Sequence, residues 1–156
     1  MAAYRICVSD ERHDSYDIER ELLASAGAEL VLCQCATDED IVRFCADADG
    51  ILLDMAPLTA RAVAGLRRCK VVSRYGVGYD NIDVECCTAH HIFVVNTPTT
   101  VTEPTAELAV AIMMAITKGV VMYDKELRQT RHMRTSMFFD RDMLLFGKTM
   151  GILGFG

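Results

Sequence analysis

Two glycine-containing strings hold the residues best suited to chemistry. The first, Arg74-Tyr75-Gly76-Val77-Gly78-Tyr79-Asp80-Asn81-Ile82-Asp83, follows an apolar run that begins at Val71. Parallel α/β sheets bind ligands outside the carboxyl ends of their strands. A Gly-Val-Gly turn there can aim backbone N–H groups at an anion such as a carboxylate, with Arg74 adding positive charge. The same string also reads as a tight strand-to-helix turn with Asp83 as N-cap. The second string is Gly151-Ile152-Leu153-Gly154-Phe155-Gly156. A hydrophobic strand running into Gly-x-Gly is how a dinucleotide-binding fingerprint begins: one glycine makes the tight turn and the next lets backbone approach the pyrophosphate. The third glycine, the helix facing the phosphates and the acidic residue about 20 positions on would lie past Gly156.

Other candidates read as structural. Gly147-Lys148-Thr149 has the ending of a P-loop, but Asp142 stands where that motif needs its first glycine, and the triplet precedes a strand instead of following one. The seven cysteines are odd in number. Cys7, Cys33, Cys45 and Cys69 lie in or beside apolar runs, where cysteine behaves as a small hydrophobe. Neither the Cys33/Cys35 spacing nor the adjacent Cys86 and Cys87 matches a zinc motif, so free thiols and no metal are expected. His13, His90, His91 and His132 read as solvated or helix-end residues, and Asp54 and Glu85 show no acid–base partner. Met113, Met114 and Met122 keep helical spacing and suit a core or interface. Arg128, Arg131 and Arg134 suit a solvated helix face.

The elements that must position these residues follow from periodicity. Short apolar runs at Arg5–Ser9, Glu29–Cys33, Ile51–Asp54, Val71–Arg74 and Ile92–Asn96 predict five strands. Between them a helix runs from Asp14 or Ser15 to about Ala26, with Ile18, Leu22 and Leu23 on one face and Gly27 as its stop. Thr37 caps a second helix carrying Ile41, Phe44, Cys45 and Ala48. Thr59–Leu66 and Asp83–His90 are two more. Nearly all-apolar strands separated by helices predict a parallel sheet covered on both faces, in a flavodoxin-like doubly wound α/β fold. After Thr97-Pro98-Thr99-Thr100 the pattern changes. A helix begins around Glu103-Pro104-Thr105, with proline in its first turn, and Leu108–Ile116 is apolar on every side, which predicts burial all round. An amphipathic stretch to about Arg134, a loop and a strand at Thr149–Leu153 complete the reading. Residues 1–100 thus form one α/β domain, and residues 101–156 form a linker, a long buried helix and the first strand of another.

The combination is more specific than its parts. Ser73–Asp83, Val94-Val95-Asn96-Thr97-Pro98, Thr105-Ala106-Glu107-Leu108 and Gly147–Gly156, in this order and spacing, resemble the D-2-hydroxyacid dehydrogenases of the phosphoglycerate dehydrogenase type. The resemblance implies a flavodoxin-like substrate domain followed by the truncated start of a Rossmann domain. It implies hydride transfer between NAD(H), with NADP not excluded, and C2 of a small D-2-hydroxy or 2-keto acid. Arg74, Gly76, Val77 and Gly78 would lie at the substrate, the N–H groups of Val77 and Gly78 holding its carboxylate. Thr102 would lie near the nicotinamide, and Gly154, Phe155 and Gly156 would begin the phosphate loop. The helix from Thr105 would pack a homodimer. The family's catalytic arginine, glutamate and histidine come after the fingerprint, so the chain alone is expected to be inactive.

Two other roles compete with this one. A truncated homologue could serve a regulatory or structural purpose. A phosphoacceptor receiver module would use Asp10 and Glu11 for Mg²⁺ and Asp54 as acceptor. The receiver reading fails at strand five, where Asn96-Thr97 stand before Pro98 in place of the required lysine. Composition narrows the partners. The chain is 51% hydrophobic and 24% charged, with a net charge of −6, so a real core is expected and nucleic acid is not. The most apolar stretch is far shorter than the roughly 20 residues that span a bilayer. Met1–Ile6 lacks the apolar core of a signal peptide, so a cytoplasmic location is expected.

Overall fold

The computed structural model describes residues 3–132 and 143–154. The chain falls into two compact units that divide after Val101.

In the first unit strands and helices alternate: β1 (Tyr4–Val8), α1 (Asp17–Ser25), β2 (Ala28–Leu32), α2 (Asp38–Cys45), β3 (Gly50–Leu53), α3 (Ala60–Gly65), β4 (Val71–Arg74), α4 (Val84–Ala89) and β5 (Phe93–Val95). All neighbouring strands are parallel, in the order β2-β1-β3-β4-β5. That is the flavodoxin-like order the apolar strand runs predict. Thr37 caps α2 in a full capping box with Asp40, and Thr59 and Asp83 cap α3 and α4 through their side chains. The expected cap of α1 differs. Tyr16 occupies the N-cap position without a side-chain bond, because its ring is buried and its hydroxyl accepts the N–H of Arg12 instead. Ser15 still accepts the N–H of Asp17.

Strand register explains the core. Val31, Cys7, Ile51, Val72 and Val94 form one row across the sheet. On that face they meet Ile41 and Cys45 of α2, Ala62 and Val63 of α3, and Cys87 of α4. The opposite row is Leu30, Ile6, Gly50, Val71 and Phe93. Here the expectation of cover on both faces is met only in part. Only α1 remains for that side, and it lies against β2. One helix cannot cover five strands, so Phe93 is 76% exposed, and Ile18 and Leu22 of α1 are also exposed.

In the second unit α5 (Thr102–Thr117) and α6 (Val120–Thr130) are bent by 56° at Lys118–Gly119. Pro104 sits in the first turn of α5, as expected. Burial does not follow: no residue of α5 is buried, and Ile116 is 73% exposed. An all-apolar helix needs neighbours on every side, whereas α6 is its only partner helix among the described residues. The segment resuming at Met143 is tied back by Met143 N–H to the Thr117 carbonyl (2.9 Å) and by Lys118 Nζ to the Met143 carbonyl (2.9 Å). Thr149–Leu153 forms no strand, since a strand needs a hydrogen-bonded neighbour and the described residues offer none there. Of the expected basic stripe, Arg128 pairs with Asp124, Arg131 ends α6, and Arg134 lies outside the described residues.

Contiguous exposed apolar surface drives association. The isolated chain is therefore expected to self-associate through α5, and Ile112→Lys should shift it toward monomer in light scattering. A monomeric wild type at high micromolar concentration, unaffected by the substitution, would contradict this.

Candidate functional site

The carboxyl ends of β1, β3, β4 and β5 bring one connected network to a single edge of the first unit. It starts at Asp10, just past β1, whose side chain is 3% exposed. The Ser9 hydroxyl donates to Asp10 Oδ1 (2.6 Å), as does the N–H of Asp54 (3.0 Å). Oδ2 accepts from the N–H of Met55 (2.7 Å) and from Arg12 Nε (3.2 Å). Burial alone would raise this carboxyl. The bonds from Ser9, Met55, Asp54 and Arg12 outweigh it and hold the group below the usual carboxylate range. Asp10 therefore ties the end of β1 to the loop after β3.

That loop carries Asp54, which reaches Arg74 at the end of β4 with a 2.8 Å ion pair, the two side chains 18% and 12% exposed. Arg74 thus spends its charge on Asp54, while its buried Nε has no partner among the described residues. Asn81 closes the same loop by donating to the carbonyls of Asp54 (3.1 Å) and Ala56 (2.9 Å). The Tyr75 hydroxyl donates to Glu19 (3.0 Å), and burial together with that carboxylate pushes the phenol upward, so it stays protonated. The His13 ring meets Tyr75 at a tilted angle, 4.9 Å between ring centres.

The Gly-Val-Gly turn comes next. Gly76 has φ +127°, a backbone state that favours glycine, and a Cβ there would lie 3.2 Å from Arg74 Nη1. Its N–H donates to Thr97 Oγ1 (2.9 Å), and its carbonyl accepts the N–H of Thr97 (3.0 Å). Asn96 Nδ2 donates to the Val77 carbonyl (2.8 Å). Residues just past β5 therefore clamp the turn against β4. The N–H groups of Val77 and Gly78 have no partner among the described residues, and both residues are exposed. Gly78 has no positive φ, and a Cβ there would meet only Asp80 Oδ2, at 3.8 Å. The clamp residues Thr97 and Asn96 were not legible as such. They are about 20 residues from the turn in the chain and become its neighbours only because β5 pairs with β4.

The remaining candidates lie in the second unit. Thr102 is the exposed first residue of α5. Gly154 has φ +80°, a backbone state suited to the tight turn of a phosphate loop, and a Cβ there would meet nothing within 4 Å. Phe155 and Gly156 lie outside the described residues. His90 ends α4 with its ring at the Cys86 carbonyl, as its helix-end reading expects.

Comparison with known proteins places this architecture. The family model for the D-isomer specific 2-hydroxyacid dehydrogenase catalytic domain matches residues 7–142, and the chain belongs to that family. A glyoxylate reductase of Korarchaeum cryptofilum is 36% identical over 105 residues, covering 64% of this chain and 30% of the relative. A D-3-phosphoglycerate dehydrogenase of Mycobacterium bovis is 36% identical over 111 residues, 70% of this chain and 20% of the relative. The NAD⁺-bound 3-phosphoglycerate dehydrogenase of Entamoeba histolytica superposes with a TM-score of 0.66 at 30% identity, covering 75% of this chain and 40% of that one. The chain thus spans well under half the length of these relatives.

Asp10→Asn tests the network. An amide can accept at one position only, so the two donors on the other oxygen lose their acceptor, at a cost of roughly 1–3 kcal/mol for each that is left unpaired. The folded carboxyl is held below its ordinary value of 3.8. Its stabilisation is therefore complete above that value and is lost as pH falls through the lowered one. Urea denaturation should show the full penalty at pH 7 and a shrinking one below pH 4. Equal stability at pH 7 would mean that Asp10 does not hold the strand ends together.

Proposed function

We propose that this chain supplies the substrate-anion site of an NAD-dependent oxidoreductase acting at C2 of a small D-2-hydroxy or 2-keto acid. The observation that carries the reading is the pair of unpartnered, exposed N–H groups at Val77 and Gly78, held at the carboxyl end of β4 in a chain of this family. Unpartnered backbone N–H groups suit a carboxylate, and a fixed turn supplies them without loss of entropy on binding. The Thr97 and Asn96 bonds and the left-handed Gly76 do the fixing. Arg74 acts one step back: paired with Asp54, it shapes the turn against which Gly76 packs.

A bound nicotinamide dinucleotide would supply or accept the hydride. Gly154 fits the first turn of its phosphate loop, with Phe155 and Gly156 following and Thr102 assigned to the nicotinamide side by the family resemblance. The helix α5 is the element proposed to pair two subunits. No residue of this chain occupies the position of the family's catalytic arginine, glutamate or histidine. The chain by itself is therefore proposed to bind a 2-hydroxy or 2-keto acid without turning it over.

Both halves of the reading are measurable on the chain as it stands. Titration with millimolar glyoxylate or D-lactate should shift the amide resonances of Val77 and Gly78 above all others in ¹⁵N-resolved spectra. NADH with glyoxylate or hydroxypyruvate should show no oxidation above background. Gly78→Val, free of backbone strain, should abolish the amide shifts while leaving the fold intact by circular dichroism. Shifts clustered elsewhere, or unchanged by Gly78→Val, would remove the turn from substrate binding.

A further inference from the structure

Three of the seven cysteines, none of which the substrate site uses, gather at one place in the first unit. Cys7 lies on β1, Cys33 follows β2, and Cys45 ends α2. The sulfurs of Cys7, Cys33 and Cys45 all lie within 4.8 Å of one another. Among the described residues no other set of histidine, cysteine or carboxylate side chains gathers as a candidate ion site. Disulfides do not account for the grouping, since all seven cysteines are free.

We propose that Cys7, Cys33 and Cys45 form a thiolate site for a soft d¹⁰ divalent cation of the zinc group. Zinc–sulfur bonds of about 2.3 Å around a tetrahedral ion put the sulfurs roughly 3.8 Å apart, so the three must close by about 1 Å at most. Their supports are firm. Cys33 N–H donates to the Val8 carbonyl (2.9 Å), Cys35 N–H to the Ser9 carbonyl (2.7 Å), and the capping box anchors the helix that carries Cys45. Cys33 lies at the edge of the core at 9% exposure and is followed by the exposed Gln34. Each thiol that binds gives its proton to solvent, so three ligands release three protons and leave a complex of charge −1. The spacing of 7, 33 and 45 matches no linear zinc motif, which is why only the fold shows the cluster.

The reduced chain, stripped with a chelator, is titrated with Cd²⁺ alone. Sulfur-to-metal charge-transfer absorption should rise linearly and break at one equivalent, and Zn²⁺ should raise the melting temperature. Cys33→Ser and Cys45→Ala should each weaken Cd²⁺ binding at least 100-fold, whereas Cys86→Ser, outside the cluster, should leave it unchanged. Cys33 lies at the edge of the core, so its variant decides the matter should Cys45→Ala fail to fold. Absence of the break, or an affinity retained in folded Cys33→Ser, would overturn the site.

Discussion

One buried carboxylate organises the functional edge of the first unit. Asp10 is removed from water, and a desolvated carboxylate is tolerable only when its oxygens are filled by donors. It finds them in Ser9 beside it and in the N–H groups of Asp54 and Met55, some 44 residues away in sequence. Meeting that requirement fixes the loop after β3, which presents Asp54 to Arg74. The position of Arg74 then sets the space that Gly76 must leave empty. Each step is short, directional and partly buried, so the turn at Val77 and Gly78 is held by a chain of hydrogen bonds and not by the turn's own preference.

The consequence for chemistry is a division of labour. The two arginines nearest the turn are matched within the protein, Arg12 with Asp10 and Arg74 with Asp54, while Asp80 stays exposed beside Gly78. What remains available at the surface is neutral backbone N–H. Such donors recognise a carboxylate by direction and distance and need no long side chain to be ordered on binding.

The open surfaces follow equally from what each element lacks. Among the described residues of each unit, the second face of the sheet has one helix for five strands, and α5 packs on α6 alone for an apolar circumference. Both were expected to be covered, because apolar patterning reports a preference for burial but not which partner meets it. Ile18 and Leu22 of α1 show the limit clearly: their helical spacing is right, and they are exposed all the same.

Much was legible in the chain itself. Strand runs separated by capped helices determine a parallel α/β sheet, since Thr37, Thr59 and Asp83 satisfy helix N–H groups locally and apolar strands require cover. Gly76-Val77-Gly78 after an apolar run marked the turn for the same local reason. Tertiary structure decided the rest. Arg74, expected to add charge for a ligand, is committed to Asp54, because the β3–β4 register sets their strand ends side by side. Thr97 and Asn96 become the turn's clamp through β4–β5 pairing, and Cys7, Cys33 and Cys45 become neighbours through β1–β2 pairing and the packing of α2. Local spacing encodes local bonds; contacts between residues 20 to 45 apart exist only once the sheet has ordered its strands.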